Sequence, residues 1–390
     1  MSYRIVLTLF LVCSVSANAK QNDPDLITVR TFPKILRRAM RGDPKAQAQI
    51  GFAYEKGIVV RQNSAEAARW FTLAVDRDPV AEYNLGVLNF YGRGVPQNKD
   101  RALALFERAA AEGLAEAQFN AAVLYQHGMA GPQNLGRALD LYTDAARNGF
   151  AHAQDNLGQM YLLGNGVGRD DALAAYWFAQ AAKRGDAVGE FNIGVLCLTG
   201  EGVTRDPVKA VSWFHLSAAQ GHAAAERVLG SLYRNGEAVP KSDQIAKGWF
   251  SKAAKQGDAV AENILGIIYL NGEGVTADES IAAIWFTRAA EQGYSGAQAN
   301  LCSLYQQGRG VSRDLEAAYV WCSLSLTSAE YPTRGTKLKE LTAAMTSTEI
   351  KEAEQRKSEW LAKHKQASPA DLARIAETMT VIAPGATTPP

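Results

Sequence analysis

The amino-acid sequence predicts an all-α fold, a right-handed superhelical α-solenoid of about eight 36-residue helix-turn-helix repeats with helical caps. Three observations lead to this prediction. Glycines recur every 35 or 36 residues along most of the chain. Small and apolar residues between them follow helical spacing, and no sustained period-two alternation indicates strands. Consecutive hairpins of this kind must stack, because one hairpin cannot bury both of its faces.

One position of the repeat, here called the anchor, defines the register. The anchors are Gly51, Gly86, Ala122, Gly158, Gly194, Gly230, Gly266 and Cys302. Six residues after each anchor stands another glycine, a residue that enters the left-handed conformation in which helices commonly end. Nineteen residues after the anchor, six of the eight units have Trp, which we expect to fill the space between hairpins.

The fullest unit, Ala261–Gly293, reads AENILGIIYLNGEGVTADESIAAIWFTRAAEQG. This pattern resembles the Sel-one-like repeat family, relatives of the tetratricopeptide repeats, over about 290 of the 390 residues. The resemblance implies a scaffold or adaptor that holds peptides or proteins, in a family whose bacterial members are often exported. Ala130-Gly131 and Glu237-Ala238 depart from the pattern, so we expect differently shaped turns there.

The chain divides into five predicted segments. These are a cleavable signal peptide (1–19), an N-terminal capping segment (20–42), eight repeats (43–329), C-terminal capping helices (330–365) and a flexible tail (366–390). The spacing of Thr346 and Glu349 predicts a capping box that begins a helix reaching about residue 365. A further short helix over 368–378 is also compatible with the sequence.

The signal peptide is predicted from a cationic start, the apolar run Ile5–Val15 and the small residues before Lys20. Cleavage after Ala19 would send the chain to the periplasm or outside the cell, with no stable membrane insertion afterwards. The alternative is a retained N-terminal anchor.

Composition excludes several classes of protein. An apolar content of 47% can fill a core, and a net charge of +1 provides no overall attraction to nucleic acid. After signal cleavage Cys197, Cys302 and Cys322 remain, and an odd number is not a disulfide framework. Cys302 and Cys322 lie on the two helices of one hairpin, so they are either buried free thiols or a disulfide pair.

The sequence contains no recognisable catalytic machinery. The five histidines lack metal-ligand spacing, and the Gly-x-Gly-Val turns lack the strand and the Lys-Ser/Thr of a phosphate loop. We therefore predict a non-enzyme with no catalytic, cofactor-binding or metal-binding residues. A hydrolase like the β-lactamases of a cysteine-rich branch of the family is a remote alternative, because the paired cysteines of that branch are absent here.

The first helix of each repeat provides the candidate binding groove, by analogy with tetratricopeptide arrays. Two residues before the anchor stands an asparagine row, Asn84, Asn120, Asn156 and Asn192, suited to gripping an extended peptide backbone. Beside it runs a predicted apolar stripe: Tyr83, Val87, Phe90, Phe119, Val123 and Phe191. The alternatives are that these asparagines bond within the hairpins and that the apolar side chains pack between helices.

The expected partner is therefore a protein or an extended peptide, bound by a monomer or weak oligomer. An alternative function is a structural spacer that organises cell-envelope machinery. Two polar features add further options. Arg227 and Arg234 could meet an acidic contact along the groove, and Lys34, Arg37, Arg38 and Arg41 form either a solvated cap or a docking patch for an acidic partner.

Overall fold

A computed structural model describes residues 27–326 and 333–364 of the 390. Within these ranges all regular secondary structure is helical, so the predicted all-α solenoid of helical pairs is confirmed. The predicted signal peptide, the tail from 366 and the short helix over 368–378 lie outside the described residues. The described chain forms two compact units, residues 27–189 and residues 190–364 with the gap noted, and the boundary falls inside one helix.

The N-terminal unit begins with α1 (Phe32–Met40), followed by four hairpins. The hairpins are α2 (Pro44–Lys56) with α3 (Ser64–Ala74), α4 (Pro79–Tyr91) with α5 (Lys99–Ala111), α6 (Ala115–His127) with α7 (Leu135–Arg147), and α8 (Ala151–Leu163) with α9 (Asp171–Lys183). Helix α10 (Ala187–Thr199) crosses into the second unit. Within this unit each helix packs against the next one along the chain.

The C-terminal unit continues the same pattern. Its helices are α11 (Pro207–Ala219), α12 (Ala223–Asn235), α13 (Asp243–Lys255), α14 (Ala259–Asn271), α15 (Glu279–Glu291), α16 (Ser295–Gln307), α17 (Leu315–Ser325), α18 (Thr333–Ala343) and α19 (Ser347–His364). The last two helices both pack on α17. The predicted capping box is confirmed: the Thr346 amide donates to the Glu349 carboxylate at 2.7 Å, and the Glu349 amide donates to Thr346 Oγ1 at 3.3 Å.

Glycine ends the first helix of every repeat. The eight glycines that follow the anchors by six residues have φ between 61° and 84°, where a Cβ is strained. Two residues later most repeats have glycine with positive φ as well, but Val59 and Ala238 occupy that place with φ of 67° and 61°. The Glu237-Ala238 turn therefore keeps the left-handed conformation at this position without glycine.

The six anchor glycines leave space for an aromatic ring. The residue twenty positions later lies on the second helix of the same hairpin, and a Cβ on the glycine would lie only 2.5–2.8 Å from its ring. The six pairs are Gly51 with Phe71, Gly86 with Phe106, Gly158 with Phe178, Gly194 with Phe214, Gly230 with Phe250, and Gly266 with Phe286. Each of these phenylalanines is essentially fully buried. The glycine and the ring together set the distance between the two helices.

Two repeats fill this position differently. In the third, Ala122 and Tyr142 replace the glycine and phenylalanine, and both are fully buried. In the eighth, Cys302 and Cys322 replace them and form a disulfide with a Cα–Cα distance of 5.1 Å. Of the two alternatives for these cysteines, the structure has the pair, while Cys197 is a buried free thiol. The hairpin is thus held by a covalent bond where the ring is missing.

The tryptophans lie beside this contact and not within it. Trp213 is only partly buried, whereas its neighbour Phe214 is fully buried. The same difference separates Trp177 from Phe178 and Trp285 from Phe286. The expectation that Trp fills the space between hairpins is met by a half-buried side chain, since Trp177 and Trp285 pack on apolar clusters that include the second helix of the preceding hairpin. The fully buried position of the second helix belongs to the phenylalanine. Because the phenylalanine faces its own hairpin partner, the tryptophan one residue earlier points about 100° away.

We predict that Phe214→Ala lowers the free energy of unfolding by about 3–5 kcal/mol, the usual cost of emptying a large buried aromatic site. Trp213→Ala should cost clearly less, because its side chain is already partly solvated. Urea unfolding of both variants measures the difference. An equal or larger loss for Trp213→Ala would contradict the assignment of the core position.

We predict that reduction of Cys302–Cys322 lowers the melting temperature of the wild-type chain, because closing a loop across 20 residues contributes about 3 kcal/mol through the unfolded state. The double variant Cys302→Gly/Cys322→Phe restores the pair found in six other repeats. It should fold and melt at a temperature that dithiothreitol does not change. A reductant response that persists in this variant would place the effect elsewhere.

Candidate functional site

The predicted groove residues fall into two groups by exposure. Tyr83, Val87, Phe90, Val123 and Phe191 are buried, as are Asn84 and Asn120. Phe119, Asn156 and Asn192 are half-buried. The burial of the first group favours the alternative in which these side chains pack between helices. Only the second group offers surface to a ligand without a rearrangement of the core.

The asparagine row makes bonds between helices. Asn120 Nδ2 lies 3.3 Å from the Tyr83 hydroxyl, and Asn156 Nδ2 donates to the Tyr142 hydroxyl at 3.0 Å. Tyr142 in turn donates to Gln126 Oε1 at 2.7 Å. Burial raises the pKa of both tyrosines, so their hydroxyls stay neutral. For Asn120 and Asn156 these bonds favour the structural alternative, with Asn156 still partly exposed.

A half-exposed aromatic cluster lies on two consecutive first helices of the N-terminal unit. The ring of Phe119, on α6, lies 5.1 Å from the ring of Phe150 and 6.3 Å from that of His152. Phe150 and His152, at the start of α8, are 5.7 Å apart. The buried Tyr142 closes the inner side, 5.7 Å from Phe119. We call Phe119, Phe150 and His152 the aromatic cluster.

His152 carries a charge partner within the same unit. Its Nδ1 lies 2.7 Å from the carboxylate of Asp186, which is buried and also accepts a bond from the Gly189 amide at 2.8 Å. The hydrogen bond to Asp186 raises the pKa of His152. The cluster therefore combines two apolar rings with an imidazole that gains positive charge more readily than a free histidine.

Phe119 was among the binding residues predicted from the sequence, but Phe150 and His152 were not. The missed signal lies at the N-cap of the first helix, eight residues before the anchor. Four repeats place Asp there, and each carboxylate accepts a bond from the amide three residues on. The other four repeats place Leu114, Phe150, His222 and Tyr294 there, and none of these four side chains makes a capping bond. Phe150 thus replaces a cap that stabilises a helix by about 1 kcal/mol.

The two arginines expected to face an acidic partner are already paired. Arg227 Nε donates to Asp258 at 3.0 Å. Arg234 makes two bonds, of 2.8 and 2.9 Å, to Glu273 of the following repeat. Both carboxylates belong to this chain, so these arginines join successive repeats.

A buried polar row, which sequence analysis overlooked, lies four residues before the anchors. Its members are Gln47, Glu82, Gln118, Gln154, Glu190, Glu226, Glu262 and Gln298, all buried. Each glutamine donates to a carbonyl near the end of the preceding helix, at 3.0–3.3 Å. The glutamates instead accept, as Glu226 does from Gln256 at 2.7 Å. Gln or Glu at this place in all eight repeats was the available signal.

The described residues lack two features that would indicate other functions. No group of three or more His, Cys, Asp or Glu side chains there could hold a metal ion. In the same ranges, no helix combines the length and the apolar character needed to cross a bilayer.

The helical pairs, their glycine-ended first helices and their repeated core contact define an α-solenoid of the tetratricopeptide-like class. The Sel1 repeat model matches eight consecutive segments, 44–78, 79–114, 115–150, 151–186, 187–222, 223–258, 259–294 and 295–326. The chain therefore belongs to the Sel1 repeat family, whose members are typically non-catalytic protein-interaction scaffolds.

Two solved structures are similar to this chain. A Sel1 repeat protein from Oxalobacter formigenes is 27% identical, with a TM-score of 0.62 over 83% of this chain and 94% of that one. The protein c5321, a protective antigen present in uropathogenic Escherichia coli strains and displaying an SLR fold, is also 27% identical. That match covers 93% of this chain and 92% of c5321 with a TM-score of 0.48.

We predict that Glu226→Gln stabilises the chain at neutral pH. Burial raises the pKa of Glu226 above its ordinary value of 4.5, so the folded chain binds this proton more tightly than the unfolded chain does. The contribution of Glu226 to stability is then greatest in acid and falls as pH rises through the raised pKa. Glutamine removes this loss and adds a donor for the Ala218 carbonyl, worth about 1 kcal/mol.

Thermal melting from pH 4 to pH 8 measures the effect, with the gain expected to disappear towards the acid end. The reciprocal variant, Gln118→Glu, places a carboxylate at the same point of the third repeat. It should lower the melting temperature at neutral pH and recover in acid. Equal shifts at all pH values in both variants would show that ionisation at this row is not the cause.

Proposed function

We propose that the chain is an exported, non-catalytic scaffold that binds an extended peptide or protein segment through the inner face of its first helices. Membership of the Sel1 family supports a protein partner in general terms. The observation that carries the more specific proposal is the half-exposed aromatic cluster. It lies on α6 and α8, the helices that line the concave face in arrays of this class.

The chemistry of the cluster suits a peptide side chain. Phe119 and Phe150 present apolar ring surface to solvent. Phe119 is held by its contacts with Tyr142 and Phe150, and Phe150 is held at the start of α8. Aromatic side chains dominate binding energy where they are held rigidly in a partly closed pocket. His152, charged when protonated, adds a donor at the rim, and the half-buried Asn156 offers an amide to a peptide backbone.

The remaining predicted groove residues act in this proposal as its support. Tyr83 accepts the amide of Asn120, and Val87, Phe90 and Val123 lie in the same apolar cluster as Tyr142. Asn84 belongs to the proposed face by register, and Asn192 and Phe191 hold the equivalent positions of a first helix in the C-terminal unit. The burial of Asn84 and Phe191 would keep the first helices in place while the exposed rings engage the ligand.

Export is supported by the cysteine chemistry as well as by the N-terminal sequence. The Cys302–Cys322 disulfide is of a kind that persists in oxidising compartments and is rare in the cytosol. We therefore propose the periplasm or the cell exterior as its place of action.

Peptides that bind the wild-type chain can be selected from a displayed library. We predict that these peptides bind the Phe119→Ala/Phe150→Asp variant at least tenfold more weakly than the wild type, because both exposed rings are lost. Phe150→Asp restores the capping residue of four other repeats, so the loss of a ring is offset by a gained cap. Fluorescence polarisation measures affinity, and thermal melting checks the fold. Tyr83 and Phe90 are left unchanged because their burial would confuse binding with unfolding.

Tyr176→Ala is the matched control. Tyr176 is an aromatic residue of the same unit, 52% exposed, on the second helix α9. Its replacement should leave peptide affinity unchanged. Selected peptides that bind both variants as tightly as the wild type would exclude the aromatic cluster and favour the spacer function.

A further inference from the structure

The near-zero net charge of the chain conceals a strongly basic end. Residues 27–65 hold eight Lys and Arg and only two carboxylates, a net charge of +6, although the whole chain carries 41 basic and 40 acidic residues. A near-zero total charge excludes attraction to anions only when the charges are spread evenly over the surface. Here the excess lies on α1, on α2 and on the short segments beside them.

Both carboxylates of this region are engaged by the fold. Asp43 accepts from Arg38 Nε at 2.8 Å and caps α2 through the Ala46 amide at 3.1 Å. Glu55 is buried and pairs with Arg93 at 3.1 Å. The region's acidic groups are therefore committed, one to Arg38 and one to an arginine of the second repeat.

Three of the remaining cations share one face of α1. Lys34, Arg37 and Arg41 follow each other at intervals of three and four residues, the spacing of one helix face, and all three are exposed. They form no ion pair with any residue in the described ranges. We call these three side chains the basic stripe.

The opposite side of α1 anchors it to the first repeat. Ile35 and Ala39 are each 1% exposed and pack with Ala46 and Ile50 of α2. The basic stripe is thus held outward by a helix that is fixed to the body of the protein. Its charges are presented as a group and do not depend on a flexible tail.

Two exposed apolar side chains lie near the basic stripe in the sequence: Val29 precedes α1 by three residues, and Met40 is the last residue of α1. Val29 and Met40 are 77% and 74% exposed, the two most exposed large apolar side chains among the described residues. A solvated cap gains nothing from such exposure. Cations beside apolar side chains are instead the pattern of surfaces that lie in the headgroup region of a bilayer, with the apolar groups reaching the acyl boundary.

We propose that this face of α1 adsorbs to an anionic phospholipid bilayer. The charge favours any polyanion, and Val29 and Met40 favour lipid over an acidic protein. Adsorption is peripheral, since α1 has nine residues and a spanning helix needs about 20. It is independent of the aromatic cluster, which lies on α6 and α8.

The test is co-sedimentation of the chain, purified after export through its own signal, with phosphatidylcholine vesicles that contain or lack about 30% phosphatidylglycerol, the anionic component that attracts Lys and Arg. We expect binding only to the anionic vesicles, and loss of most of it in about 1 M salt, where screening is nearly complete. Lys34→Glu/Arg37→Glu/Arg41→Glu should lower the partition coefficient by about a hundredfold or more. Met40→Ser should also weaken binding.

Lys183→Glu/Lys209→Glu/Lys255→Glu is the matched control. It makes the same change in net charge at exposed lysines of three second helices, and it should bind vesicles like the wild type. Equal loss in both triple variants would overturn the proposal, because the effect would then follow total charge. Binding to poly-glutamate without binding to vesicles would show an acidic protein to be the occupant, and would also overturn it. Melting temperatures confirm that each variant is folded.

Discussion

The contact between an anchor glycine and a phenylalanine twenty residues later determines how closely the two helices of a hairpin approach. Because glycine has no side chain, the first helix can lie directly against the ring. A larger residue would collide with the ring and push the two helices apart. Repeating this contact at 36-residue intervals gives each hairpin the same thickness. Regular hairpins can then stack in register within each unit, and their neighbouring surfaces become complementary.

In two repeats other residues occupy the positions of the glycine and the phenylalanine. These exceptions show that the position must be filled, although not always by the same residues. In the third repeat Tyr142 fills the site against Ala122, and its hydroxyl continues outward to Gln126 and Asn156. In the eighth repeat the Cys302–Cys322 disulfide bridges the same two positions. A phenylalanine ring, a tyrosine ring and a disulfide thus each fill the equivalent position between the two helices of a hairpin. The disulfide of the eighth repeat lies next to the C-terminal helices, where Leu341 of α18 belongs to the same buried cluster as both cysteines.

The sequence alone predicted the features that repeat along the chain. Glycine periodicity identified the hairpins, and the left-handed turns followed from it because few other residues adopt positive φ easily. Which of two adjacent aromatic residues is buried could not be predicted this way, since Trp213 and Phe214 are both apolar. The partners of Asn120 and Asn156 were equally undetermined, because an amide pointing at a neighbouring tyrosine and one pointing at a ligand have the same spacing.

Irregular positions carry the information about function that regular positions cannot. A residue required for stacking is under the same demand in every repeat, as the buried Gln or Glu row shows. The N-cap position varies instead: Phe150 stands where four repeats place a capping aspartate, and the helix it begins lacks that bond, as do the helices that follow Leu114, His222 and Tyr294. In the proposed function, the ring surface that Phe150 shares with Phe119 and His152 offsets this loss. The same reasoning applies to Met40, the last residue of α1, whose side chain is 74% exposed although the helix is anchored to α2 by Ile35 and Ala39.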